Sequence, residues 1–160
     1  MSATFENLRI LQSAEEIADS VWKRVVEWEK FAKDVVGKQI ARSADSVGAN
    51  IAESFGRFNF GEKLQFLYYS RGSIFETKYW LNRTRVRGLM KPDEVDEYVK
   101  RLTDLARQLN TFASGLKTVR VEQKSKPSTM RESQAEYLTI GLDDIPIPLF
   151  TEDELNWLNT

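Results

Sequence analysis

From Pro92 to Lys117 the apolar residues fall at Val95, Tyr98, Leu102, Leu105, Leu109, Phe112 and Leu116, in alternating steps of three and four. That spacing averages about 3.5 residues, the seam of helices packed with a left-handed twist, and no strand carries it. Val99, Ala106 and Ala113 recur beside it and widen the stripe that must be buried. Pro92 suits a first helical position, where a missing N–H costs nothing, and Asp93 and Glu94 complement the positive end of the helix dipole. With Asp96 and Glu97 these acids read as a solvated first turn rather than as metal or acid–base groups.

A stripe this long needs partners, and three further patterns supply them. SAEE at 13–16 places Ser13 as an N-cap and Glu16 as its capping-box partner. Ala18, Val21, Val25, Trp28 and Ala32 continue the seam, and Ile17, Trp22 and Val26 add a second edge that calls for another helix or another subunit. The next helix carries Val36, Ile40, Ala44, Val47, Ile51 and Phe55, beside a smooth strip of Ala41, Gly48 and Ala52. Gly48 costs about 1 kcal/mol inside a helix, so a close approach is expected there. Phe55-Gly56 reads as a helix end with a left-handed glycine cap. A third helix opens at Asn59, with Glu62 at the box position, and carries Leu64, Leu67, Tyr68, Ile74, Phe75 and Leu81 toward Gly88. Its length of roughly 28 residues reaches about 42 Å at 1.5 Å each. Short connections make neighbours antiparallel. The expected fold is all-α: an antiparallel up-down four-helix bundle over 1–118 with an extended C-terminal tail.

Composition narrows the chemistry. The chain has no Cys and no His, which removes the commonest general base, thiolate nucleophiles and the usual zinc sites. An enzyme is not expected, nor a metal or cofactor. Residues 1–118 carry 19 Lys and Arg against 16 Asp and Glu, while 119–160 carry 4 against 8. A mildly basic bundle is thus joined to an acidic tail. Residues 119–136 read as a polar linker. Residues 137–160 are too apolar for an inert tail: Thr151 and Glu154 cap a short helix, and Leu149, Phe150, Leu155, Trp157 and Leu158 form an acidic, aromatic docking segment. It either recruits a partner protein or packs on its own bundle. No signal peptide or membrane span is evident, so a cytoplasmic protein is expected.

SVGANIAESFGRFNFGEKLQFLYYSRGSIFET, within the second and third helices, resembles the four-helix bundle protein family, also called the 23S rRNA intervening-sequence protein family. The matching positions are Val47, Asn50, Ile51, Ala52, Glu53, Phe55, Gly56, Arg57, Phe66, Leu67, Tyr68, Gly72, Ser73 and Glu76, with Arg42 at a basic position upstream. The resemblance covers about 14–118. Gly48 stands where the family usually has Pro, and Ser54 where it usually has Gly. The resemblance implies a non-catalytic, ring-forming homo-oligomer, often a pentamer. A close branch of that family is the accessory variability determinant of diversity-generating retroelements, so the resemblance implies RNA or DNA and a reverse transcriptase as partners. In such a ring Asn50, Glu53, Arg57, Ser73 and Glu76 would form a polar network that fixes register.

Two stretches are candidate contact surfaces. RTRVRG brings Arg83, Arg85 and Arg87 to a helix C-terminus, with Lys78 and Lys91 nearby. They read as a phosphate patch, together with Arg42 and Arg57, or as cations complementing the dipole. FGRFNFG sets Arg57 among Phe55, Phe58 and Phe60, which either stack bases or close the bundle core. Two functions stay open: a nucleic-acid-binding accessory protein, or a scaffold whose tails dock a partner.

Overall fold

The computed structural model describes residues 8–125 and 145–160. Helix α1 spans Arg9–Val25, and a corner at 26–29 leads into the single turn α2, Lys30–Ala32. A π-helical turn, Lys33–Gly37, fuses α2 to α3, Lys38–Gly56. Then come α4, Phe60–Val86, α5, Pro92–Ser125, and α6, Glu152–Leu158. Ser13 reaches Gln108 and Ser20 reaches Tyr98, so α1 and α5 are antiparallel. Gly48 faces Ala14 and Leu11, so α1 and α3 are antiparallel as well. The chain is an up-down four-helix bundle of α1, α3, α4 and α5. Val21, Ile40, Leu67, Ile74, Leu81 and Leu109 are wholly buried along its axis.

The small and polar character of SADSVGANIAESFGR is explained by α4. The Ser70 hydroxyl donates to the Val47 carbonyl at 3.0 Å, Ser54 donates to the Lys63 carbonyl at 2.9 Å, and Thr77 donates to Ser43 Oγ at 3.1 Å. Ser43, Ser54, Ser70 and Thr77 are all buried. Short hydroxyl side chains let the two backbones come close, and each hydroxyl replaces its lost water with a protein acceptor. Gly48 turns to α1 of the same chain, where an added Cβ would meet Ala14 Cβ at 3.7 Å, an ordinary contact. The tight glycine is Gly37, in the π turn: a Cβ there would lie 2.6 Å from Val25 Cγ1.

Several boundaries differ from the sequence expectation. α1 starts at Arg9 with Leu8 at its N-cap, because Ile10 and Leu11 are buried and draw the preceding turn into the bundle. Ser13 is therefore inside the helix, and its hydroxyl crosses to Gln108 rather than capping. Ala32 lies beyond the corner, where the buried Trp28 reverses the chain, and belongs to α2. Phe55 is 37% exposed instead of lying in the core stripe. Gly56 stays helical, and α3 ends at an extended Arg57. The left-handed cap is Gly88, φ 68°. Its N–H reaches the Arg85 carbonyl, and Leu89 N–H reaches Thr84 across the same turn, the paired bonds of a glycine-closed helix. α5 continues to Ser125, into the stretch read as linker from 119. No Gly or Pro interrupts it between Lys117 and Ser125, and Lys, Arg, Glu and Gln favour helix even though Val119 and Val121 are exposed. The rest of that stretch, 126–136, and residues 137–144 lie outside the described residues.

Candidate nucleic-acid interface and the docked C-terminal segment

The cations singled out in the sequence do not converge. Arg57 sits at the α3–α4 end of the bundle, whereas Arg83, Arg85, Arg87 and Lys91 sit at the α4–α5 end. The 27 residues of α4 between them span about 40 Å. Arg57 pairs with Glu53 one turn back and lies 4.7 Å from the Phe66 ring centroid. Arg42 pairs across to Glu76 at 3.7 Å. Arg85 pairs with Asp96, and Arg83 lies over Tyr79 at 5.8 Å. Lys78 is buried, at 1% exposure, and is no surface contact; its helical position turns it inward with Ile74 and Leu81. Its Nζ has no hydrogen-bond partner. Burial first, then the charge of Arg85, lowers the Lys78 amine from its usual value, and Asp96 opposes them. Arg87 and Lys91 remain exposed.

The expected polar network resolves into separate pairs: Asn50 with Ser73 at 3.5 Å, Glu53 with Arg57, and Arg42 with Glu76. Asn50 is held more closely by its own helix, donating to the Ser46 carbonyl at 2.8 Å. Within one chain the register between α3 and α4 is carried by the buried hydroxyls. Across the α1–α3 face, partial burial and then the charge of Asp19 hold the Asp45 carboxyl above its usual value.

The α4–α5 end has company. Trp22 and Val26, at the end of α1 and its C-cap, and Phe31 and Val35, on the α2–π segment, are pairs one turn apart, and all four are exposed. Up-down topology brings this corner to the same end as Arg87 and Lys91. At the opposite end Phe58 is 100% exposed and does not close the core. Phe58→Ala is expected to leave stability within about 0.5 kcal/mol of the parent, measured by urea unfolding, because the ring buries nothing.

The C-terminal segment lies on its own bundle. Leu149, Phe150, Leu155 and Leu158 are buried, while Trp157 stays half exposed. Phe150 stacks on Phe75 of α4 at 5.6 Å, and Trp157 meets the same ring. Asn110 of α5 donates to the Phe150 carbonyl and accepts from its N–H, both at 2.8 Å. Arg71 donates through Nε to the Leu149 carbonyl at 2.6 Å and pairs with Glu154. The capping box of Thr151 and Glu154 forms as the sequence indicates. Arg71, Phe75 and Asn110 were not legible as a receiving surface. The signal available was the adjacent pair Ile74 and Phe75, which on a helix do not share one face.

A family model described as 23S rRNA-intervening sequence protein matches residues 6–111, well over half of the 160 residues. The chain belongs to this family. The match covers α1 through most of the bundled part of α5 and stops before the docked segment. Among curated proteins no match is found. The 23S rRNA-intervening sequence protein family is thus shown for the bundle, and 145–160 lies beyond the matched core. Among the described residues no helix is long and apolar enough to cross a membrane.

Proposed function

We propose that this member of the family is a non-catalytic accessory protein that binds nucleic acid and works as a ring-forming homo-oligomer. One observation carries the reading: the bundle end where α4 meets α5 combines the exposed cations Arg87 and Lys91 with the exposed aromatic residues Trp22 and Phe31. Lysine and arginine neutralise phosphates, and exposed aromatic rings either stack on bases or pack on a neighbouring copy. A ring repeats each patch, so a modest charge per subunit becomes multivalent. The family's retroelement branch suggests a reverse transcriptase as the enzyme it would assist. The scaffold reading has less support, because the apolar residues of the docking segment are spent on the chain's own bundle.

The test is a fluorescence-anisotropy titration of a structured RNA and a duplex DNA over a salt series. Arg87→Ala/Lys91→Ala should weaken binding of both and lower the slope of log affinity against log salt by about 1.8, two phosphate contacts' worth. Light scattering in the same buffer should give a mass several times 18.5 kDa. Unchanged affinity and slope in the double variant would overturn this face as the interface.

A further inference from the structure

Residues 145–160 are held the way a protein holds a peptide ligand. Asn110 grips both the N–H and the carbonyl of one residue, Phe150. That is recognition of backbone, whatever the side chain. Arg71 adds a third backbone bond, to Leu149, and then a side-chain bond, to Glu154. Its guanidinium also lies 4.7 Å from the Phe75 ring and 5.5 Å from the Phe150 ring, which fixes its plane over the anchor. Phe150 fills the central position, and α6 then lays Leu155 and Leu158 into the groove. This is an aromatic anchor followed by an amphipathic helix in a hydrophobic groove.

The groove is also cationic. Arg71 takes Glu154, and Arg107 faces Glu152 at 3.9 Å. Lys78 lies on the same stripe of α4, three residues beyond Phe75 and seven beyond Arg71. It is buried, and its ammonium has no hydrogen-bond acceptor. Glu152 and Glu154 pair with the two arginines, and the Lys78 ammonium, repelled by Arg85 and attracted by Asp96, has no hydrogen-bond acceptor. A buried donor without a partner carries a penalty that a ligand bringing one more carboxylate removes.

We propose that the α4–α5 groove is a docking site for an acidic amphipathic peptide helix of a partner protein, and that residues 145–160 are a built-in occupant which that partner displaces. The recognised pattern is an aromatic anchor, a helix cap, acids for Arg71 and Arg107, two leucine-like residues, and a further acid for Lys78. The resident segment is tethered and therefore acts at high effective concentration, so the groove opens only to a better match.

The probe is a fluorescein-labelled peptide with the sequence of 145–160, titrated into the full chain. The full-chain Phe150→Ala variant, with its own occupant weakened, should bind the probe at least tenfold more tightly than the unmodified protein. A probe carrying Glu154→Ala should lose at least tenfold. Probes with one added Glu, at 156, 157 or 159 in turn, should include one that binds at least fivefold tighter to this variant and gains nothing when Lys78→Met is also present. Hydrogen exchange on the unmodified protein keeps the test open if Phe150→Ala does not fold. Amides of Leu155–Leu158 should exchange at least a hundredfold faster than those of Leu102–Leu109, because the occupant leaves while the bundle stays closed. Equal exchange in both segments would make 145–160 an integral part of the core and overturn the proposal. So would failure of every added-Glu probe, or displacement of the probe by structured RNA. Exchange of the segment between copies, seen as dimers in sedimentation, would also overturn it. The added-Glu and hydrogen-exchange readouts do not depend on nucleic-acid binding at Arg87 and Lys91.

Discussion

Gly37→Ala is expected to destabilise the bundle by about 1–3 kcal/mol, the usual cost of forcing an extra carbon into a packed interior. The new Cβ would lie 2.6 Å from Val25 Cγ1, and Val25 is itself buried in α1. A β-branched side chain in a helix has one strongly preferred rotamer, so Val25 has little room to turn aside. Two effects compete, since alanine gains up to about 1 kcal/mol over glycine in helical backbone. The backbone at Gly37, φ −57° and ψ −45°, would suit alanine, so the overlap alone sets the sign. Val25→Ala by itself should cost about 2 kcal/mol for the buried methyl groups removed. In that background the overlap is gone, and Gly37→Ala should become neutral or stabilising. The sign reversal, read from urea unfolding of the four-protein cycle, is the result that matters. Independent, additive losses would show that the corner between α1 and the π turn is not held by this contact.

Gly37 also shows where sequence reasoning stops. The apolar spacings give the helices and their stripes, because periodic burial is written into the chain residue by residue, and the short connections give the antiparallel order. Gly48 interrupts a helix pattern, yet its neighbours leave room for a Cβ. Gly37 sits at the start of the same pattern, and nothing local shows that α1 passes against it. The same limit applied to the hydroxyls of Ser43, Ser54, Ser70 and Thr77. Each is unremarked in a single helix and meaningful only once α3 and α4 are laid side by side.

The candidate site was less legible for a related reason. A run such as RTRVRG gives charge but not direction. On a helix, neighbours in sequence point apart, and Lys78 in the interior has a different chemistry from Arg87 on the surface. The C-terminal segment was legible as an amphipathic, capped helix, since Thr151 and Glu154 are local to it. Its receptor was not, because Arg71, Phe75 and Asn110 come from two helices and none belongs to a motif.

Lys78→Met should stabilise the protein by about 1–3 kcal/mol at neutral pH, the scale of an unsatisfied buried polar group. Methionine keeps the length and the apolar stem but removes the charge, and replacing a buried charge by a well-packed apolar group is often stabilising. The charged groups acting on the amine are Arg85, which repels it, and Asp96, which attracts it while pairing with Arg85. Burial is the larger effect, and the folded amine therefore titrates below the 10.5 of an exposed lysine. Between that lowered value and 10.5 the unfolded chain binds more protons than the folded one, so stability must rise with pH there. Below the folded pKa the full penalty is present. As pH climbs through the window the folded state loses its proton first and the penalty fades. The advantage of the methionine variant should be largest at neutral pH and shrink toward pH 10, measured as the difference in urea midpoint between the two proteins. Taking that difference cancels the other titrating groups shared by both chains. A constant advantage across the range would mean that the amine is not desolvated in the folded protein. A loss of stability in the variant would mean that the ammonium has an anionic partner, and the third cation of the groove would already be spoken for.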